Sequence, residues 1–228
     1  MIDWSGLFQI IAIDILLGGD NAVVIALACR DLPEEKKKKA MIWGMAGAVG
    51  IRVLLLFFAL ALLKLPYLKM IAALFLFWIG INLLGGEGRE GQAETRDGLF
   101  SAVRTIVLAD AVMSIDNVIG VAGAAKDSML LIIIGISVSI PVILWGSRFI
   151  LKVMDRFPFV ILLGAGLIGW VAGEMFASDA ALPAKLHALS TAVAAASAVL
   201  TALIGKWRQS RRKETPREFA KDYGGDSS

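Results

Sequence analysis

Two apolar stretches of the chain carry acids and amides in the same pattern. The first reads Ile13-Asp14-Ile15-Leu16-Leu17-Gly18-Gly19-Asp20-Asn21, and the second reads Ala109-Asp110-Ala111-Val112-Met113-Ser114-Ile115-Asp116-Asn117. Shifted by 96 positions, Asp14 falls on Asp110, Asp20 on Asp116 and Asn21 on Asn117. Carboxylate and amide oxygens with no His or Cys among them are donors for a hard cation such as Mn²⁺, Mg²⁺ or Ca²⁺. Zn²⁺ and Cu⁺ fit poorly, because the single histidine, His187, lies apart and reads as interfacial. Met113 adds a softer sulfur that would favour Mn²⁺ over Ca²⁺, although methionine on an apolar helix is ordinarily packing. Asp14 and Asn21 are seven apart and share a helix face, as do Asp110 and Asn117. Asp20 and Asp116 fall off that face. Gly18-Gly19 is expected to break or tighten the first helix and turn Asp20 inward, and Ser114 in place of Gly18 makes any second break milder.

These acids stand in surroundings that do not welcome them. The 228 residues are 57% hydrophobic, with a mean hydropathy of +0.74, and the charge is concentrated in short runs such as Glu34-Glu35-Lys36-Lys37-Lys38-Lys39. A bilayer core about 30 Å thick needs around 20 apolar residues per helix. The pattern therefore predicts seven membrane spans, at about Gly6–Ala28, Ala40–Leu63, Leu68–Leu84, Phe100–Gly123, Met129–Phe149, Pro158–Phe176 and Leu186–Ile204. Pro33 with Glu34 and Glu35 marks the start of the second, and Gly85-Gly86-Glu87-Gly88 closes the third. The N-terminus reads as a retained helix, not a cleaved leader, since no basic segment precedes it. Cys29 reads as a small buried hydrophobe. An aspartate at the centre of a span costs about 2.5–3.5 kcal/mol on insertion scales. Arg52 or Arg104, both inside spans, could neutralise one acid as its charge partner, but the four acids outnumber the available bases.

Orientation follows from the basic residues on alternate sides. Lys64, Lys69, Lys126 and Lys185 fall on one side, four in all, against seventeen on the other, from Arg30 and Lys36–Lys39 to the tail at Lys206, Arg208 and beyond. The N-terminus is expected outside and the C-terminus in the cytoplasm of a bacterial inner membrane. The net charge of +3 reflects this anchoring and does not point to nucleic acid.

The 96-residue offset also carries Gly50 and Arg52 onto Gly146 and Arg148. Three spans is an odd number, so the second copy enters the membrane from the opposite side. The expected architecture is an all-α, polytopic membrane helix bundle with an inverted 3+3 repeat plus one extra helix. The membrane unit covers about 1–205, with repeats at about 5–85 and 99–177 and helix seven at about 186–205. A basic cytoplasmic tail, solvated and partly disordered, follows at 206–228. Inverted repeats with polar, Gly-interrupted helices at mid-membrane are the pattern of alternating-access transporters. A proton could replace the metal on the return step. Glu174, near the outer end of span six, reads equally as a gate or proton site and as an interfacial acid.

The run Leu17-Gly18-Gly19-Asp20-Asn21-Ala22-Val23-Val24-Ile25-Ala26, the run Asp110–Val118 and the run Gly164–Glu174 together resemble the TerC family of integral membrane proteins, in its YjbE-type branch. The resemblance covers about residues 4–205. It implies a seven-helix inner-membrane protein related to the lysine-exporter-like superfamily and linked to manganese efflux. Carried over residue by residue, the metal candidates are Asp14, Asp20, Asn21, Asp110, Asp116 and Asn117. Manganese(II) enters as a transported ion, and no permanently bound cofactor is expected. Membrane lipids and the divalent ion are the expected partners, and a homo-oligomer is left open.

Three other classes compete with divalent export. An enzyme lacks its motifs here: there is no nucleophile elbow, Walker loop or His-Glu metal motif. An intramembrane aspartyl protease would leave the Asn neighbours unexplained. Export of an amino acid or other small cation needs a pocket beside the acids, and a scaffold assisting metal loading of secreted proteins would tolerate Asp20→Asn.

Overall fold

The computed structural model describes residues 4–62, 65–85, 96–124, 129–183 and 187–223, with side chains omitted for 4–6, 17, 59–62, 96–97, 116–124, 129–132 and 212–223. Eight helices are found among the described residues. They are α1 (Trp4–Leu17), α2 (Gly19–Cys29), α3 (Glu34–Leu62), α4 (Leu68–Gly85), α5 (Arg96–Ala124), α6 (Met129–Arg156), α7 (Phe159–Ala177) and α8 (Ser190–Tyr223). Six are long and apolar enough to cross a membrane, and the bent pair α1–α2, taken as one broken span, brings the number to seven. The protein is an all-helical, multi-pass membrane bundle.

Its surface is what lipid requires. Phe8, Trp43, Phe57, Phe58, Trp78, Phe100, Trp145, Phe149, Leu163 and Leu203 are all exposed. On a water-soluble protein such a continuous apolar face would be an aggregation hazard, whereas here it meets hydrocarbon. The centre belongs to α2. From Asn21 to Cys29 every residue but Val23 is buried, as expected of a helix that is apolar all round and surrounded by others. Cys29 lies within it, fully buried.

Helices α1 and α2 pack on α6, α3 packs on α5, and α4 packs on α7, with α8 laid against α7 and α4. Where α7 meets α8 the contact depends on small residues. A Cβ added at Gly173 would sit 2.6 Å from the Ala194 Cα, so only glycine admits this approach. At one end of the bundle, Asp179 ties the loop after α7 to the start of α4. Its carboxylate accepts from the backbone N–H of Met70 at 3.2 Å and of Ala181 at 2.8 Å. Burial raises this carboxyl, but the N–H groups of Ala181, Met70, Tyr67 and Lys69 outweigh it, and the pKa lies below the ordinary carboxylate value. His187 Nε2 meets the Asp179 carbonyl oxygen at 3.0 Å.

The helices overrun the expected spans at several ends: α3 starts at Glu34, α5 at Arg96, and α6 runs on to Arg156. The largest difference is the tail. Instead of ending near residue 205, α8 stays helical to Tyr223, which corrects the expectation of a partly disordered end over that stretch. Lys, Arg, Gln and Glu are good helix formers, and the Arg211 guanidinium lies 4.9 Å over the Trp207 ring one turn earlier.

Candidate ion-binding site

The first span breaks where the glycine pair predicts. Gly18 leaves the helical conformation, with φ −98° and ψ 6°, and its N–H still donates to the Asp14 carbonyl at 2.8 Å. The chain restarts as α2 with a bend of 49°. A Cβ at position 18 would stand 2.5 Å from that carbonyl oxygen, so the break depends on glycine. At the matching position in the second half, Ser114 sits inside α5, which runs through without interruption.

The break and the unbroken helix deliver their acids to one guanidinium. Arg52, buried in α3, donates through Nη1 to Asp14 Oδ1 and through Nη2 to Asp110 Oδ1, the latter at 2.6 Å. Its Nε–H donates to Ser114 Oγ at 3.0 Å, and that hydroxyl donates to Asp110 Oδ2 at 3.3 Å. Asn21 Nδ2 donates to Asp110 Oδ1 at 2.9 Å. Ser139 Oγ contacts both Asp14 Oδ2 and, at 2.8 Å, the Ile136 carbonyl. One hydroxyl proton serves these two acceptors in turn. Two residues on, Pro141 lies inside α6 and supplies no N–H to the carbonyl of Ser137, which loosens the helix beside the site. Asp14, Asn21, Asp110, Ser114 and Ser139 are all buried.

One polar atom is left over. Asn21 Oδ1 is buried and makes no hydrogen bond. The residue lines a cavity of about 10 Å³ together with Asp110, Met45, Val24, Ile25 and Ile106, close to the least space that holds one water-sized particle. Asp110 fixes the amide orientation, since its carboxylate needs the NH₂ group. A carboxylate, an amide with an orphan carbonyl and the Met45 side chain therefore share one small enclosure.

The other candidates are placed differently. Asp20 stands at the edge of the cluster, half-buried, its Oδ1 accepting from the Asn21 N–H at 2.9 Å in the first turn of α2. There the helix dipole favours an acid, and the carboxyl interacts electrostatically with Asp110 and Arg52. Asp116 and Asn117 belong to the α5 backbone, but their side chains lie outside the described residues. Glu174 is exposed on α7, and Arg104 is exposed on α5. Arg148, the sequence counterpart of Arg52, lines a surface cleft with Glu34, Lys37, Lys38, Lys152 and Asp155. Among the described residues, no three His, Cys, Asp or Glu side chains converge as a ready metal cage. Met113 is buried in the apolar core, and Met45 lines the cavity instead. Nothing in the spacing singles out Met45 or Ser139. Both arrive on helices that do not carry the Asp-Asn motif.

The sequence matches the family described as "Integral membrane protein TerC family" over residues 1–213. It is 43% identical to the uncharacterized membrane protein YjbE of Bacillus subtilis over 173 residues, covering 76% of this chain and 79% of that one. It is 27% identical to the uncharacterized membrane protein YceF of the same organism, covering 78% of this chain and 72% of that one. The inner membrane protein YgdQ of Escherichia coli is 26% identical, over 72% of this chain and 80% of its own length. No solved structure matches the chain. With the family matched along nearly its whole length, this chain belongs to the TerC family of integral membrane proteins.

Proposed function

We propose that the chain exports a divalent cation, Mn²⁺ before others, by alternating access at the Asp14–Asp110 centre. The observation that carries this is the meeting of two membrane-embedded aspartates, matched at offset 96, on one buried arginine beside an orphan amide oxygen. Ionisable groups held at this depth are costly and are the usual markers of an ion path. Oxygen donors suit a hard ion, and Met45 adds the softer contact that favours Mn²⁺ over Ca²⁺. Asp20, Asp116 and Asn117 complete the ligand set as the carrier changes conformation. A cavity of about 10 Å³ speaks for a bare ion and against an amino acid.

Helix packing supports the exchange of two inverted halves. The first span packs on the fifth, the second on the fourth, and the third on the sixth, which are the pairings a two-fold axis in the membrane plane generates. The bias of seventeen basic residues against four supports an outside N-terminus and a cytoplasmic C-terminus in the inner membrane. Cells that depend on this chain for manganese tolerance test the reading. Asp14→Asn, Asp110→Asn and Asp20→Asn, at normal membrane levels, raise cellular Mn and Mn²⁺ sensitivity. Wild-type manganese content in all three would refute it.

A further inference from the structure

The geometry points to Arg52 as a tethered cation that competes with the transported ion and replaces it during the return of the unloaded carrier. This rests on the export reading and concerns what fills the site between transport events. Each carboxylate oxygen of the central pair has a protein donor within reach. Arg52 takes Asp14 Oδ1, and Ser139 stands at Oδ2. Arg52 and Asn21 share Asp110 Oδ1, and Ser114 holds Oδ2. A divalent cation that takes Asp14 Oδ1 or Asp110 Oδ1 must compete with the guanidinium for it. Charge-assisted bonds from a forked donor are the strongest it could meet there.

The arrangement is one-sided. The second half offers Arg148 at the equivalent position, but that residue lines a surface cleft, so one arginine serves both aspartates. A carrier whose acids face low-dielectric surroundings without a cation pays heavily to reorient. With Arg52 in place the acids are paired, and the return step needs no second ion from solution. Coupling to a proton is then not obligatory. Once the metal has displaced it, Arg52 stands beside a divalent charge and promotes release.

Purified full-length protein and proteoliposomes, with Mn²⁺ itself as the probe, test this directly. Removing the competitor in Arg52→Gln should tighten Mn²⁺ binding about tenfold or more. The same variant should slow net efflux into a metal-free compartment about tenfold while keeping Mn²⁺/Mn²⁺ exchange within about threefold, because exchange never requires the unloaded carrier to return. Arg52→Lys keeps the charge without the fork, so affinity rises about threefold and net efflux persists. Binding that is unchanged or weaker in Arg52→Gln, or exchange and net efflux falling together, overturns the proposal. If Arg52→Gln fails to fold, Arg52→Lys decides, and unchanged or weaker affinity there overturns it. Failure of the export reading looks different: the wild type itself then binds no Mn²⁺, and both proposals fall.

Discussion

Arg52 of the second span donates to Asp110 of the fourth at 2.6 Å, and the same guanidinium holds Asp14 of the first. Three spans far apart in sequence are pinned at one buried point. Buried pairs contribute little over apolar packing, yet breaking one is costly because the remaining charge has nowhere to go. The cluster is thus a structural joint as well as the proposed ion site.

Removing one partner exposes the joint. Asp14→Ala strips the acceptor from one arm of Arg52 and from Ser139, and should lower stability by about 3–5 kcal/mol. Unfolding in detergent, followed by helical signal, measures the loss. A cost below about 1 kcal/mol would show that the pair is not held as described.

The break at Gly18 is sterically specified. Gly18→Ala brings a Cβ to 2.5 Å from the Asp14 carbonyl oxygen, so the backbone carrying Asp14 must shift. A destabilisation of about 1–3 kcal/mol and weaker Mn²⁺ binding are expected together. Gly19→Ala is the control, since a Cβ there meets nothing within 4 Å.

In the proposed export, Met45 is expected to set ion preference more than stability. Met45→Leu conserves volume and should cost less than about 1.5 kcal/mol. In competition flux assays, Ca²⁺ and Mg²⁺ should then inhibit Mn²⁺ transport several-fold better than in the wild type. An unchanged competition profile would reduce Met45 to packing.

Asp179 gives the bundle a predictable acid response. Its pKa is lower in the folded chain than the ordinary 3.8, so its stabilisation is complete above that value and is lost as pH falls through the folded pKa. Asp179→Ala should be less stable than wild type by about 1 kcal/mol at neutral pH, as for loss of a helix cap. The gap should close in strong acid. A constant gap across pH would contradict the carboxylate's role.

Much of this was legible in the residues. Apolar runs located the spans, the Gly18-Gly19 pair marked the break, and the offset of 96 singled out Asp14, Asp20, Asn21, Asp110, Asp116 and Asn117, of which Asp14, Asn21 and Asp110 meet at Arg52. Arg52 was one of two bases that could serve as partner, and periodicity alone could not choose it over Arg104. That choice is made by helix packing, which buries α3 against α5 at Arg52 and leaves Arg104 on the surface. Ser139 and Met45 carried no local signal, because each meets its partners at the site from a distant helix, and the reach of Asp179 to Met70 is equally remote in sequence. The tail differs for another reason: its charges suggest a solvated, partly disordered end, but a helix already anchored by packing continues to Tyr223.

Uptake of Mn²⁺ into proteoliposomes, comparing wild type with Asp110→Asn, is the decisive test of Mn²⁺ export through the Asp14–Asp110 centre. Asparagine keeps the shape and removes the charge that both Arg52 and the ion require. Mn²⁺ flux is expected in the wild type, resistant to excess Mg²⁺, with a loss of about 100-fold or more in Asp110→Asn at equal incorporation, on the scale of removing one charged ligand. Equal flux in the two proteins would contradict export through this centre.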